Sequence, residues 1–289
     1  MVTRFDHFVI AVRDLDTAIR LYQRLGFEVQ PGGRHTGRGT HNALIRFGLD
    51  YIELLSVYDA VEAQLTGIRG TSIIDALQKR EGALLGYALA TENIEQEAER
   101  FKDTELFQPA FAMKRLRPDG KELTWRLFTP GAVAWRRPWP FIIQWDTPDT
   151  ERLLIEQPGR HLNGANKWVR IAVATRDVAG LIPLYRDKLG LQQQEPSEPA
   201  GQRAIFQLGS SSIELFTPQE AGAAQQTLQE LGEGPFEVTI AVEDLRQTRS
   251  FLAQRDISFE WHANKPDTLI LASPDTLGVR FSLVQQSEE

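Results

Sequence analysis

Two side chains of this sequence, the imidazole of His7 and the carboxylate of Glu53, are of the types that bind metal ions or move protons. A neutral imidazole and a carboxylate suit Zn, Mn, Fe or Ni, and open positions on such a metal could polarise a carbonyl or enediolate of a substrate. Without a metal, the same two groups would hydrogen-bond each other in a polar cup. The sequence therefore predicts His7 and Glu53 as the catalytic pair and leaves the metal open.

Two hydrophobic segments with the period of a β-strand carry these residues. In residues 5–15 one aliphatic set faces a helix, which leaves His7 on the opposite face. In residues 50–57 the same alternation places Glu53 on the open face. The two segments are the first and last strands of a β-α-β-β-β unit, so His7 and Glu53 are expected on one concave surface.

The order of strand, capping Asp or Asn, and helix occurs four times, with the caps at Asp14, Asn93, Asp177 and Asp244. This repeat predicts an α+β fold of four βαβββ modules, which form two domains with cupped mixed or antiparallel sheets. The predicted domains are residues 1–155, with modules 4–58 and 84–146, and residues 165–289, with modules 167–218 and 235–286.

A glycine-rich stretch at residues 31–42 is the most distinctive local motif. Its glycines expose backbone N–H groups, and Arg34, His35 and Arg38 could close over a carboxylate or phosphate of a ligand. The alternative is a flexible hairpin that is rich in turn residues. We favour ligand contact, because loops on a rigid scaffold often carry binding groups.

The strand after this loop adds further candidates for substrate binding. By alternation, Asn42 and Arg46 share the cup with Glu53, whereas His41 points away. A bulge near Thr40 would reverse the orientation of His41, so His41 stays a candidate. His35 lies in the loop itself and could turn either way.

The second module offers an amide and an aromatic wall. Gln144 corresponds to Glu53 in the repeat, and its side-chain oxygen is a weak third ligand for a metal. The tryptophans between residues 125 and 145 could form an apolar wall opposite His7, with Trp125 in contact with the substrate. Packing in the core is the alternative for each of them.

The second half has no His/Glu pair at the matching positions. Arg170 stands in the place of His7 and Glu214 in the place of Glu53, which predicts an ion pair. The fourth module has Glu237 and Ser282 there. We expect this half to be structural or a degenerate binding site.

Several motifs resemble the glyoxalase-like domain family of the vicinal oxygen chelate superfamily, the group of glyoxalase I, extradiol dioxygenases and bleomycin-resistance proteins. They are FDHFVIAVRDL, GGRHTGRGTHNALIRFG, YIELL, PFIIQW and HLNGA. The resemblance implies a cup that is built by two modules and holds one divalent metal, whose ligands come from first and last strands. Carried over to this chain, the ligands are His7, Glu53 and Gln144.

The predicted function is therefore a metal-assisted enzyme of the lyase, isomerase or dioxygenase type. Its substrate would be a small, oxygen-rich molecule, neutral or anionic, in the N-terminal cup. The alternative is a protein that binds and sequesters a small molecule without reaction, as bleomycin-resistance proteins do.

Composition limits the remaining classes. A net charge of −7 argues against binding of nucleic acid, which needs a basic face. The apolar stretch from Phe8 to Val12 is too short for a signal peptide or a membrane span. With no cysteine, thiolate sites and disulfides are excluded. Because the sequence shows no export signal, a cytoplasmic location is expected. A monomer or a homodimer is expected as well.

Overall fold

The computed structural model describes residues 1–78, 80–194, 203–262, 265–271 and 274–286. The last residues of the predicted second domain, 287–289, lie outside the described residues.

The first half forms a closed eight-stranded sheet, with strands in the order β1-β4-β3-β2-β6-β7-β8-β5. Its strands are β1 (Val2–Val12), β2 (Gln30–His35), β3 (Thr40–Arg46), β4 (Tyr51–Val57), β5 (Gly82–Thr91), β6 (Phe111–Leu116), β7 (Glu122–Phe128) and β8 (Phe141–Trp145). Its helices are α1 (Leu15–Arg24), α2 (Ala60–Leu65), α3 (Ile68–Gln78), α4 (Ile94–Glu99) and α5 (Asp149–Ile155).

The second half forms an eight-stranded sheet in the order β10-β11-β12-β9-β13-β16-β15-β14. Its strands are β9 (Ala165–Ala174), β10 (Gln192–Gln194), β11 (Arg203–Leu208), β12 (Ser211–Phe216), β13 (Gly234–Val242), β14 (Phe259–His262), β15 (Lys265–Leu271) and β16 (Arg280–Gln285). Its helices are α6 (Val178–Pro183), α7 (Ala223–Glu230) and α8 (Leu245–Ala253), and a π-helical turn, Leu184–Lys188, follows α6.

Adjacent modules pair in each sheet, and the predicted α+β class is confirmed. The first strands of paired modules lie antiparallel, β1 against β5 and β9 against β13. Within a module the last strand lies parallel to the first, as β4 does to β1. These two pairings bring the first and last strands of a module together at the centre of its cup.

The four predicted capping residues each begin a helix. The side chains of Asp14, Asn93, Asp177 and Asp244 accept hydrogen bonds from backbone N–H groups in the first turns of α1, α4, α6 and α8. Such a bond satisfies an N–H that has no partner within the helix, so these residues fix where each helix starts.

The two faces of β1 pack as the alternation predicts. Phe8, Ile10 and Val12 join the core beneath the helices, whereas Val9 and Ala11 line the inside of the closed sheet. The interior of the first half is therefore made by one face of each strand.

The glycine-rich stretch is ordered differently from the predicted loop. Residues 30–35 form β2, which pairs with β3 on one side and with β6 on the other. The β2–β6 contact joins the two modules and closes the sheet. This contact, called the seam below, makes a strand of a segment whose glycines disfavour a strand locally.

Candidate functional site

A deep cavity opens into the closed sheet and has a volume of about 860 Å³, including its open mouth. Its wall is mostly aromatic and includes Phe111, Trp125, Trp135, Phe141 and Trp145. Its inner end carries the polar side chains of His7, His35, Asn42 and Glu53. An apolar wall with a few converging polar groups is the usual form of a small-molecule site.

His7 is fixed by a buried carboxylate. Its Nδ1 lies 2.7 Å from Oδ1 of Asp6, and its ring stacks on Tyr51 with 4.7 Å between the ring centroids. The pairing of β1 with β5 is irregular between Phe5 and His7, which leaves Asp6 without a partner residue in β5. The Nε2 of His7 is then turned toward Oε2 of Glu53, at 3.8 Å.

Glu53 is held from its other oxygen. Asn42 donates a hydrogen bond from Nδ2 to Oε1 of Glu53 at 2.5 Å. His35 places its Nε2 at 3.6 Å from the same oxygen, while its Nδ1 lies 3.0 Å from Oγ1 of Thr40. Oε2 of Glu53 is therefore the atom that is left to meet a ligand.

Burial lowers the pKa of His35 to about 4, against an ordinary value of 6.5, although the nearby Glu53 carboxylate opposes the shift. His35 is therefore neutral at physiological pH. Because the unfolded chain binds a proton at higher pH than the folded chain does, stability is lost as the pH falls from about 6.5 toward 4.

We expect the free energy of unfolding to fall by about 2 kcal/mol more between pH 7.5 and pH 5 in the wild type than in His35→Gln. Urea titrations at the two pH values measure this difference. His41→Gln, which changes a histidine outside the cavity, is the control and should keep most of the pH dependence. An equal fall in the free energy of unfolding in the wild type and in His35→Gln would show that His35 is not the source of this pH dependence.

Beneath the polar end, buried charges form a second layer. Glu156 accepts hydrogen bonds from Arg46, Arg115 and Arg152, and all four side chains are at most 2% exposed. Although burial opposes ionisation, the three guanidinium groups lower the pKa of Glu156. Likewise, against its burial, the bond to His7 and the charges of Arg4 and Arg152 hold the pKa of Asp6 well below its usual range.

The cavity brings together six of the predicted site residues. They are His7, His35, Arg38, Asn42, Glu53 and Trp125.

Gln144 does not line the cavity, so the structure does not support its predicted role as a weak third ligand in the cup. Its amide oxygen accepts hydrogen bonds from the backbone of Ile94 and from Arg126, and its Nε2 donates to the carbonyl of Glu92. The pleat of β8 turns Ile143 and its aromatic neighbours inward, which directs Gln144 toward α4. It cannot supply a ligand in the cup.

Arg34 and His41, which were predicted as substrate-binding candidates, also lie outside the cavity. Both lie against the ring of Tyr58, outside the cavity, with the guanidinium carbon of Arg34 at 4.7 Å and the ring of His41 at 5.7 Å from its centroid. The β2–β3 pairing holds these residues opposite each other on the outer face. Alternation alone places His41 correctly.

Arg46 faces inward, as alternation predicts, but does not line the cavity. Its guanidinium carbon lies 4.7 Å from the ring centroid of Tyr51, and the guanidinium group forms an ion pair with Glu156. Its role is in the layer of charges below the cup.

Three arginines of the cavity, Arg69, Arg115 and Arg137, were missed from the sequence. Arg115 lies in β6 and alternates with Met113, so a basic residue on an inward face was the available signal. Arg69 lies at the start of α3, and no local pattern indicates that this helix covers the mouth of the cup.

The predicted metal set does not fit this arrangement. In the described part of the chain, no group of three or more His, Asp or Glu side chains is arranged to hold a metal ion. His7 and Glu53 remain close, but Gln144 faces the other side of the sheet. The second imidazole near Glu53 is that of His35, with its Nε2 3.6 Å from Oε1 of Glu53.

The second sheet has ion pairs where the first has His7 and Glu53. Arg170 and Glu214 keep the same register in β9 and β12 that His7 and Glu53 have in β1 and β4. Their charged atoms lie 2.9 Å apart, and Arg203 binds Glu214 as well. Glu237 is similarly bound by Arg280 and by the hydroxyl of Ser282.

In each half of the chain, two modules pair to form one cupped sheet. This arrangement defines the vicinal oxygen chelate fold. Residues 5–189 match the family described as the glyoxalase-like domain, and the chain belongs to that family. No curated protein matches this chain by sequence.

Solved structures share the fold at low identity. A hypothetical protein from Staphylococcus aureus has a TM-score of 0.68 at 15% identity and aligns over 98% of this chain and 99% of its own. A variant of 4-hydroxymandelate synthase from Streptomyces coelicolor has a TM-score of 0.62 at 12% identity over 100% and 94%. At such identities the likeness shows the fold alone.

No helix in the described residues is both long and apolar enough to cross a membrane.

Proposed function

We propose that the chain is an enzyme of the lyase or isomerase type that transfers a proton on a small carbonyl compound bound in the N-terminal cup. The observation that carries this proposal is the pairing of His7 with Glu53. Asp6 anchors His7 at Nδ1, and Asn42 anchors Glu53 at Oε1. Nε2 of His7 and Oε2 of Glu53 then face each other at 3.8 Å. A substrate atom beside the pair, off the line that joins Nε2 and Oε2, can lie within about 3 Å of both.

The reaction follows from these positions. Glu53 takes a proton from a carbon next to a carbonyl, and the electron pair of the broken C–H bond moves onto the carbonyl oxygen. Return of that proton from Glu53, directly or after Nε2 of His7 has accepted it, to the same or a neighbouring atom completes the isomerisation. The guanidinium of Arg115, which lines the cavity, supplies positive charge near the developing oxyanion.

His7 is suited to this part by its fixed orientation. With Asp6 ionised, Nδ1 of His7 carries the proton that it donates to Asp6, so Nε2 presents a lone pair to the cup. Tyr51 supports the ring on one face and Phe141 approaches its edge. The proposed proton transfer uses only the side chains of the cup and does not require a metal ion.

The aromatic wall selects the rest of the substrate. Trp125 and Trp145 pack against each other, with 5.0 Å between ring centroids, and Trp135 meets Phe141 edge to face. Their apolar surface favours an alkyl or aryl substituent on the carbonyl compound.

The experiment is deuterium exchange. The protein, treated with chelator, is incubated in heavy water with a panel of 2-oxo and 2-hydroxy carbonyl compounds with alkyl or aryl substituents, and mass spectrometry detects deuterium at carbon. We expect exchange in at least one compound and a rate about a hundredfold lower in Glu53→Gln. Glu122→Gln, a change on the exposed face of β7, is the control and should keep the wild-type rate.

The other outcomes count against the proposal. Exchange that appears only after addition of Zn, Mn, Fe or Ni would replace it with the metal-assisted reaction. Compounds that raise the melting temperature of the protein, with no exchange under any condition, would favour the second candidate, a binding protein without turnover. That candidate is favoured by the largely apolar wall of the cavity.

A further inference from the structure

The mouth of the cup holds two guanidinium groups around one aromatic ring. Arg38, in the turn between β2 and β3, has its guanidinium carbon 5.6 Å from the ring centroid of Phe111. Arg69, at the start of α3, lies 4.1 Å from the same centroid. All three residues line the cavity. Three separate elements therefore converge on one cationic patch.

Among the described residues, no carboxylate forms an ion pair with this positive charge. In the parts of the chain that the structure describes, no ion pair or side-chain hydrogen bond engages Arg38 or Arg69. Glu53 is the one carboxylate among the described lining residues, and it is held at the inner end by Asn42. Burial, and then the charge of Arg38, lower the pKa of Arg69. Two like charges are thus held together in a protein whose net charge is −7.

The other two arginines of the cavity are already engaged. Arg115 is bound to Glu156, and Arg137 donates to the backbone carbonyls of Val133 and Ala134. Those two guanidinium groups have structural partners, whereas no acceptor in the described part of the chain forms a hydrogen bond with the guanidinium groups of Arg38 and Arg69. A planar guanidinium binds a carboxylate or phosphate through paired donors.

We propose that Arg38 and Arg69 form a clamp for an anionic group of the ligand. The ligand would be an amphipathic anion, with an aryl or alkyl body in the cup and a carboxylate, sulfonate or phosphate at the mouth. Phe111 supports both guanidinium groups by cation–π contact, so the clamp is formed before the ligand arrives. The proposal rests on the proposed function only in that the cup binds a small molecule.

A matched pair of dyes tests the charge directly. The probe 8-anilinonaphthalene-1-sulfonate is an aromatic anion, and N-phenyl-1-naphthylamine is its neutral counterpart without the sulfonate. Fluorescence titration gives the Kd of each dye for the whole chain. We expect the double variant Arg38→Gln, Arg69→Gln to weaken binding of the sulfonate about tenfold or more, and of the neutral dye less than about twofold.

Two variants serve as controls. Arg34→Gln removes an exposed arginine from the same hairpin, one that lies on Tyr58 outside the cavity, and should leave both affinities unchanged. Leu127→Trp fills the cavity from its wall and should weaken both dyes. Competition of octanoate and octyl phosphate with the sulfonate dye then distinguishes a carboxylate from a phosphate ligand.

Equal loss of both dyes in the double variant, or no loss of either, would overturn the clamp. So would displacement of the sulfonate dye by octanol as effectively as by octanoate and octyl phosphate. Neither result depends on turnover. Glu53→Gln, which should lower the exchange rate about a hundredfold, removes a negative charge from the cavity and should not weaken binding of the sulfonate dye. The clamp and the proton-transfer reaction are therefore tested separately.

Discussion

Replacement of Arg152 with alanine is expected to lower the free energy of unfolding by about 3 to 5 kcal/mol. Arg152 is fully buried and donates from Nη2 to Glu156 at 3.0 Å, while its Nη1 lies 3.6 Å from Asp6. Its guanidinium carbon also lies 3.8 Å from the ring centroid of Trp145. The variant leaves two buried carboxylates with fewer partners and opens a space beside the tryptophan.

Urea denaturation at pH 7 measures this loss. Lys114→Ala removes a half-exposed strand cation that pairs with Glu122 at 3.1 Å, and it should change stability by less than about 1 kcal/mol. The double variant Arg152→Gln, Glu156→Gln should cost less than the sum of the two single changes, because the two charges are removed together. Additive losses would show that the buried layer is not coupled.

Replacement of Gly33 with alanine is expected to cost roughly 3 kcal/mol of stability, because it strains the seam between the two modules. Gly33 has φ of +134°, and a Cβ there would lie 2.0 Å from the backbone oxygen of Leu116 in β6. The backbone of β2 and β6 would have to separate at the point where the sheet closes.

Gly37 provides the control within the same motif. It also has a positive φ, +70°, but no atom lies within 4 Å of a Cβ built on it. Gly37→Ala should therefore show only the conformational cost, about 1 kcal/mol. Thermal unfolding of both variants measures the difference. Equal loss in the two variants would mean that the close approach of β2 to β6 does not matter for stability.

The same glycine motif combines a hairpin with side chains that line the cavity. The stretch at residues 31–42 forms a hairpin, as its turn residues indicate, and it also carries His35 and Arg38 into the cavity. What the motif could not reveal was the partner of Gly33, since β6 is about eighty residues away in the chain. A requirement for glycine at a close contact is visible only when the second strand is in place.

Local sequence patterns were sufficient to predict the modules, their capped helices and the shared face of His7 and Glu53. These features depend on local rules: side chains alternate along a strand, and a short polar side chain caps a helix. The same alternation was sufficient to place Asn42 and Arg46 inward and His41 outward.

The residues that complete the cup could not be predicted without the tertiary fold. Gln144 was assigned by analogy to Glu53, but the register of β8 against β5 and β7 turns it toward α4. Arg69 and Arg115 enter the cavity because α3 covers its mouth and β6 pairs with β2 across the seam. Pairing between distant strands and the packing of a covering helix are set by the whole chain, and no local spacing encodes them.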